Sequence, residues 1–310
     1  MKTCSRAAII AVMLCALARF LDNQDAAAEA AAVDRAQAIR GSLGTYDGEP
    51  RGKDGRVDIP RLISELVEIR ANTYHWLINH AATDWDDLQR FLPLARRHQV
   101  RVWVCLVPPS ESPPHTKYYS EPFRLDYQRW AVELAKLSVR EPNLVAWSID
   151  DFQYGLRSTF APAQMRKILG AARAINPRLA FVPCLYFRAV TARFVHDYRG
   201  LFDGVLFPYR HESAGANLSD PSLVGEEVRK IKNLVGPSIP VIVDVYATGH
   251  STLGRSTPEY VRQVMLAAKQ CADGVHVYCH QNRKGSWEKY RVIMELFRNW
   301  SAAGRGERPR

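Results

Sequence analysis

From residue 40 to residue 300 one unit recurs: a short apolar run, a loop, then a stretch with apolar positions at helical spacing. Eight copies can be counted. Strands and helices that alternate in this way imply parallel strands, because each helix carries the chain back to the start of the next strand. The spacing predicts strands over 39–46, 73–80, 100–107 and 143–152, followed by helices over 60–71, 85–98, 126–140 and 161–174. Strands are then expected over 179–187, 202–209, 239–246 and 274–280, with helices over 190–198, 223–235, 258–271 and 287–300. In the second helix, Trp85, Leu88, Phe91, Leu92, Leu94 and Ala95 form the buried stripe, and Thr83 or Asp84 is the expected N-cap. Eight pairs in about 260 residues fit an α/β fold of one kind, a single (β/α)8 TIM barrel. A doubly wound sheet alternates too, but it brings a phosphate-binding glycine loop, and no GxGxxG or GxxxxGK[ST] follows any strand here.

The barrel is expected over 39–300, after a lead-in at 19–38 and before a basic tail at 301–310. Residues 1–18 read as a signal peptide: Lys2 and Arg6 precede an apolar run that closes on Ala16-Leu17-Ala18, with a second candidate cut in Ala26-Ala27-Ala28. The run is short for a membrane span, so the expectation is an exported protein, periplasmic or extracellular, with no stable span after processing. Net charge is +10, and loss of Lys2 and Arg6 leaves +8. The basic residues are scattered rather than interleaved with aromatics, so no nucleic-acid partner is expected. Of the six cysteines, Cys4 and Cys15 leave with the leader. Cys105, Cys184 and Cys279 fall in apolar runs and Cys271 at a helix end, with no CxxC, which reads as free thiols. A Cys271–Cys279 bridge stays open in an oxidising compartment.

Ligands of parallel α/β folds collect at the carboxyl ends of the strands. The fourth strand ends on Asp150 and Asp151, adjacent acids at the edge of an apolar run. Desolvating two carboxylates together is costly, which favours a chemical use over a capping role. The other strand ends supply Tyr46, Asn79, His80, Tyr186, Arg188, Tyr209, Glu212, Asp244, Tyr246, Tyr278 and His280 as candidate substrate contacts. Carboxylates and multidentate hydrogen-bonding groups among tyrosines suit a sugar, whose C–H faces stack on aromatic rings while its hydroxyls need donors and acceptors. No strand carries His-x-His and no HExxH occurs, so neither a metal nor another cofactor is expected. His276 reads as a core histidine. An esterase lacks support because no GxSxG is present.

The stretch Ala146-Trp-Ser-Ile-Asp-Asp-Phe152 resembles the barrel β-N-acetylglucosaminidases of the O-GlcNAcase and bacterial hyaluronidase type, in which an Asp-Asp pair ends the fourth strand. Asn72-Thr-Tyr74, the loop around Tyr46-Asp47-Gly48-Glu49-Pro50, and Tyr186 are similar to that family as well. The likeness covers residues 40–187; beyond them Asp244-Val-Tyr-Ala-Thr248 replaces the family's asparagines, and Lys117 is the sole candidate for its substrate-gripping lysine. The resemblance implies a glycoside hydrolase acting by substrate assistance, with Asp150 orienting a 2-acetamido group and Asp151 as general acid/base. That scheme expects a raised pKa at Asp151 and a lower one at Asp150. A conventional two-carboxylate glycosidase, pairing one of the two with Glu212 or Asp244, stays open, as do a lyase and a non-catalytic carbohydrate-binding barrel.

Overall fold

The computed structural model describes residues 26–46, 48–79, 81–114, 119–153, 160–280 and 286–304. Eight parallel strands form one sheet: β1 (Leu43–Tyr46), β2 (Thr73–Ile78), β3 (Arg101–Leu106), β4 (Leu144–Ile149), β5 (Ala180–Phe181), β6 (Val205–Pro208), β7 (Val241–Tyr246) and β8 (Gly274–Tyr278). Their lateral order is β5-β4-β3-β2-β1-β8-β7-β6. The two ends then meet: Leu206 N donates to Pro183 O at 3.1 Å and Leu185 N to Leu206 O at 2.9 Å. The ring closes in chain order, and the chain is a (β/α)8 barrel. β5 is shorter than the predicted 179–187 because Pro183 has no N–H to give to a ladder.

Helices α1 (Ile59–Ile69), α2 (Asp84–Arg97), α3 (Tyr127–Arg140), α4 (Pro162–Arg173), α5 (Ala192–Asp197), α6 (Val224–Val235), α7 (Pro258–Cys271) and α8 (Trp287–Gly304) surround the ring. Several starts are set by side-chain caps: Asp58 accepts from Arg61 N at 3.2 Å, Asp126 from Arg129 N at 3.0 Å and Thr257 from Tyr260 N at 3.0 Å. Thr83 occupies the N-cap of α2 without a side-chain bond, whereas Asp84 accepts from Ala81 N at 2.9 Å and Asn79 N at 3.1 Å. The outward faces of the strands and the inner stripes of the helices make one continuous apolar layer.

The predicted first strand begins too early. Residues 26–39 are helical, and Ile39, fully buried, plugs the floor of the barrel against Trp103, Val182, Leu206 and Ile242. A Cβ on Gly204 would lie 2.4 Å from Ile39 Cδ1, so a larger residue there would have to displace the plug. Arg35 of the same helix pairs with buried Asp203 at 2.7 Å, and Asp203 also accepts from Phe181 N at 2.9 Å. The lumen is therefore sealed from below, and its chemistry faces the other end. Among the described residues no helix is long and apolar enough to cross a membrane, and the expected leader lies outside them. Cys105, Cys184, Cys271 and Cys279 are free thiols.

Candidate active site

The direction of the acids on β4 follows from one irregularity. The β3–β4 ladder pairs Val102 with Leu144 but Trp103 with Ala146, so β4 carries one extra residue at this point. Beyond that bulge Trp147 and Ile149 face the helices, while Ala146 and Ser148 face the lumen. Period-two alternation then sends Asp150 inward at the mouth. Asp151 sits at φ 40°, a left-handed conformation rare for a residue with a side chain, and its N–H donates to Asp150 Oδ1 at 3.0 Å. This turn keeps both carboxyls in one place. An oxygen from each and the Sγ of Cys184 lie within 4.8 Å of one another.

Two groups of side chains wall this pair. On one side, the Tyr186 hydroxyl donates to Asp151, and the Arg210 guanidinium lies 3.7 Å from the centre of the Tyr186 ring. Arg210 is ion-paired with Glu212, and Glu212 accepts from Arg188 N at 3.1 Å. On the other side, the Tyr46 hydroxyl donates to Asp244 Oδ2 at 3.1 Å. The Tyr46 ring stacks on Tyr278 at 4.8 Å, and Tyr246 stands edge-on to Tyr278 at 5.8 Å. Below them the lumen holds His75, whose Nε2 lies 2.8 Å from Ser148 Oγ, together with Trp103 and His276 at 4.5 Å between ring centres.

Burial sets the electrostatics. It pushes the Asp150 carboxyl well above the ordinary range, and the neighbouring charges of Asp151 and Glu111 push it further. Asp151 is raised too, by burial, but the Tyr186 hydrogen bond and the Arg210 and His250 charges hold it down. Glu111 is raised by burial and by Asp151. The split thus runs opposite to the sequence expectation: the deeper Asp150 is the stronger proton holder, because the Arg210 and His250 charges and the Tyr186 hydroxyl favour ionised Asp151, while Asp150 is opposed only by its hydrogen bonds from the Cys184 thiol and the Asp151 N–H. Asp244 is pushed to about 7 by burial, with Tyr46 opposing. His75 falls to about 3 by burial, so the lumen histidine is neutral.

The structure brings together Tyr46, Asp150, Asp151, Tyr186, Asp244, Tyr246 and Tyr278. It does not bring in Tyr209, whose parity on β6 matches Val205 and Phe207; its hydroxyl donates to Asp220 O at 2.9 Å in the layer under α6. His280 is also elsewhere: its Nδ1 lies 2.6 Å from Thr45 Oγ1 and its Nε2 3.7 Å from Glu65 of α1. Arg188 is exposed and donates to Glu212 O at 2.9 Å, bracing two loops to each other. Glu212 is buried between Arg188 and Arg210 and so is a poor partner for the pair. Asn79, one residue past β2, has a buried Oδ1 with no partner. His80, Asp47 and Lys117 lie outside the described residues, as do parts of the loops leaving β3, β4 and β8 at 115–118, 154–159 and 281–285.

Sequence reasoning left Glu111, Cys184 and His250 out of the site, and it set Arg210 on the rim beside Tyr209 without choosing between them. Only the parity of β6 separates Arg210 from Tyr209, and Val-Leu-Phe-Pro gives no alternation to read it from. Glu111 stands in a proline-rich loop with no periodicity, and Cys184 reads as core until Asp150 is seen beside it. Two hollows elsewhere on the surface gather no such chemistry. The hollow between α7 and α8 is lined by residues of both charge signs, with Arg262 paired to Glu295 at 2.7 Å, and the one beside α6 is largely aliphatic.

Barrel and mouth together define a (β/α)8 protein with its acids at the carboxyl ends of the strands. No family model matches the sequence, and no curated protein matches it. Solved structures do share the fold. A Bacteroides thetaiotaomicron protein provisionally assigned as an alpha-L-fucosidase aligns over 84% of this chain and 93% of its own, at a TM-score of 0.58 and 10% identity. A beta-1,4-mannanase of glycoside hydrolase family 113 aligns over 84% and 99%, with 0.58 and 11%. A family 5 glycoside hydrolase from Prevotella bryantii, solved with a xyloglucan tetradecasaccharide, aligns over 84% and 98%, with 0.54 and 9%. At these identities the likeness is one of fold.

Proposed function

We propose that the protein is an exported glycoside hydrolase in which Asp150 and Asp151 supply the acid–base chemistry. The observation that carries this reading is the pair itself: adjacent half-buried carboxyls with raised proton affinity, set among tyrosines at the open end of a plugged barrel. The carbohydrate-acting fold neighbours support it, and the basic-then-apolar leader supports export.

An N-acetylhexosaminide fits the pair best. Adjacent acids on one strand sit poorly across both faces of an anomeric carbon, so the substrate's own acetamido oxygen is the better nucleophile. Asp150, the deeper acid, faces the acetamido group, and Asp151, nearer the outside, faces the leaving oxygen. An amide N–H arriving at Asp150 favours its ionised form, and the new charge raises the proton affinity of Asp151. Binding thereby moves the stored proton from the inner to the outer acid, where the glycosidic oxygen takes it as its bond to the anomeric carbon breaks. Water then opens the resulting oxazoline, with Asp151 as base.

A second reading is favoured by Asp244, fully buried with one oxygen unpartnered. There, Asp244 works across the bond from the β4 acids in a conventional two-carboxylate scheme. Asp150→Asn and Asp151→Asn proteins, folded by circular dichroism and assayed on a panel of aryl glycosides, test the proposal. Each should lose at least about 100-fold in kcat/KM, the usual size of an acid–base contribution. Undiminished turnover in both would remove the pair from the mechanism, and equal turnover of sugars lacking the 2-acetamido group would favour the second reading.

A further inference from the structure

We infer that the same mouth is a cation site, in which Asp150, Asp151 and Cys184 hold a zinc-like divalent ion with Asp244 as the fourth donor. One ligand atom from each of the first three residues already lies within 4.8 Å of the others. Tetrahedral zinc, with bonds of about 2.0 Å to oxygen and 2.3 Å to sulfur, spaces its ligands about 3.3–3.8 Å apart. These three therefore need to contract by roughly 1 Å, within reach of side-chain rotation, and Asp244, outside that 4.8 Å group, must swing farther to complete the set. The independent sign of a ligand is Asp244. This carboxylate is fully buried, shares the lumen with Cys184 and acts electrostatically on its thiol, yet its Oδ1 has no hydrogen-bond partner. A buried acceptor without a donor is costly, and an ion between Asp244 and Cys184 would satisfy it.

The donor set selects the ion. Calcium and magnesium want six or more oxygens and no sulfur, so a carboxylate–thiolate set suits zinc or cobalt. Arg210 acts on Asp151 but is ion-paired with Glu212, which offsets part of its charge toward a cation. Sequence spacing gave no hint of this, since Cys184 follows β5 and Asp244 lies on β7, both far along the chain from the Asp pair. Binding displaces the Cys184 thiol proton and the proton held by the acids, so an occupied site has no acid to lend. That consequence for turnover rests on the hydrolase reading; the binding itself does not.

The test is a titration of the full chain, without substrate, with cobalt(II) as probe. A bound thiolate gives a near-ultraviolet charge-transfer band, and zinc added in excess should erase it. We expect the band in the native protein and in Cys271→Ser, its loss in Cys184→Ser, and at least a 10-fold weaker cobalt affinity in Asp151→Asn. Absence of the band from folded native protein, or its persistence in Cys184→Ser, would overturn the site. A band without hydrolysis counts against the hydrolase reading alone, and hydrolysis without a band against the cation site alone.

Discussion

Replacing Asp244 by asparagine should change how stability depends on pH, with a sign opposite to that of a salt-bridged aspartate. The side chain is fully buried; Oδ2 accepts from the Tyr46 hydroxyl at 3.1 Å and Oδ1 from nothing. Burial pushes the carboxyl from 3.8 to about 7. Between those values the folded protein holds a proton that the unfolded chain has released. Its stabilising contribution is complete below the unfolded pKa and is lost as pH rises through the folded one. Each pH unit in that window removes up to about 1.4 kcal/mol, on the order of 4 kcal/mol in all, and nothing more above pH 7 or so. Asparagine has the same shape, still accepts from Tyr46 and does not titrate. The variant and the native protein should therefore be similar near pH 4, and the variant should gain steadily to about pH 7 and then keep its lead to pH 8. Urea unfolding followed by tryptophan fluorescence reads this directly. With m near 3 kcal/mol/M, the midpoint difference should grow by roughly 1 M between pH 5 and pH 8. Asp150 and Asp151 are present in both proteins, so the difference isolates Asp244. Parallel midpoints across the range, or a variant that falls behind as pH rises, would refute the buried, proton-holding carboxyl.

Two further substitutions probe the scaffold, alongside the nitrogen-for-oxygen changes at the acid pair and the cobalt titration already described. Asp203→Ala leaves Arg35, at 8% side-chain exposure, without its floor partner and Phe181 N without its acceptor. A loss of about 3–5 kcal/mol is expected in denaturant unfolding. Gly44→Ala places a Cβ 2.4 Å from the His276 ring and should cost about 1–3 kcal/mol, whereas Gly170→Ala in α4 meets nothing within 4 Å and should gain about 0.5–1 kcal/mol. Equal melting temperatures for these two glycine variants would contradict the lumen packing.

The barrel could be read in the sequence because each helix advertises its own stripe: Leu62, Leu66 and Ile69 in α1, or Leu88, Phe91, Leu92 and Ala95 in α2, are fully buried. What failed were residues whose role depends on a partner far along the chain. Ile39 looks like the first residue of a strand, and only the closed ring reveals it as a plug. The acid pair could be read because an apolar run stops on it, but its proton distribution could not. The deciding groups, Glu111, Tyr186, Arg210 and His250, arrive from loops after β3, β5, β6 and β7. Parity was the other blind spot. A one-residue shift exchanges Tyr209 for Arg210, and an apolar strand containing proline carries no alternation to settle it.

One physical condition joins the lumen to the mouth. His75 and His276 are buried without a counter-charge and stay neutral, while the carboxyls above them are raised and hold protons. Burial thus works against formal charge throughout the interior of the ring, and what the mouth holds more tightly than free carboxylates would is a proton. An acetamide N–H at Asp150 and a metal ion between Asp151 and Cys184 both favour ionised carboxylate, so both draw on that one proton. They cannot act together. If both proposals hold, zinc should compete with substrate, and its inhibition should deepen as pH rises because fewer protons then contend for the same oxygens.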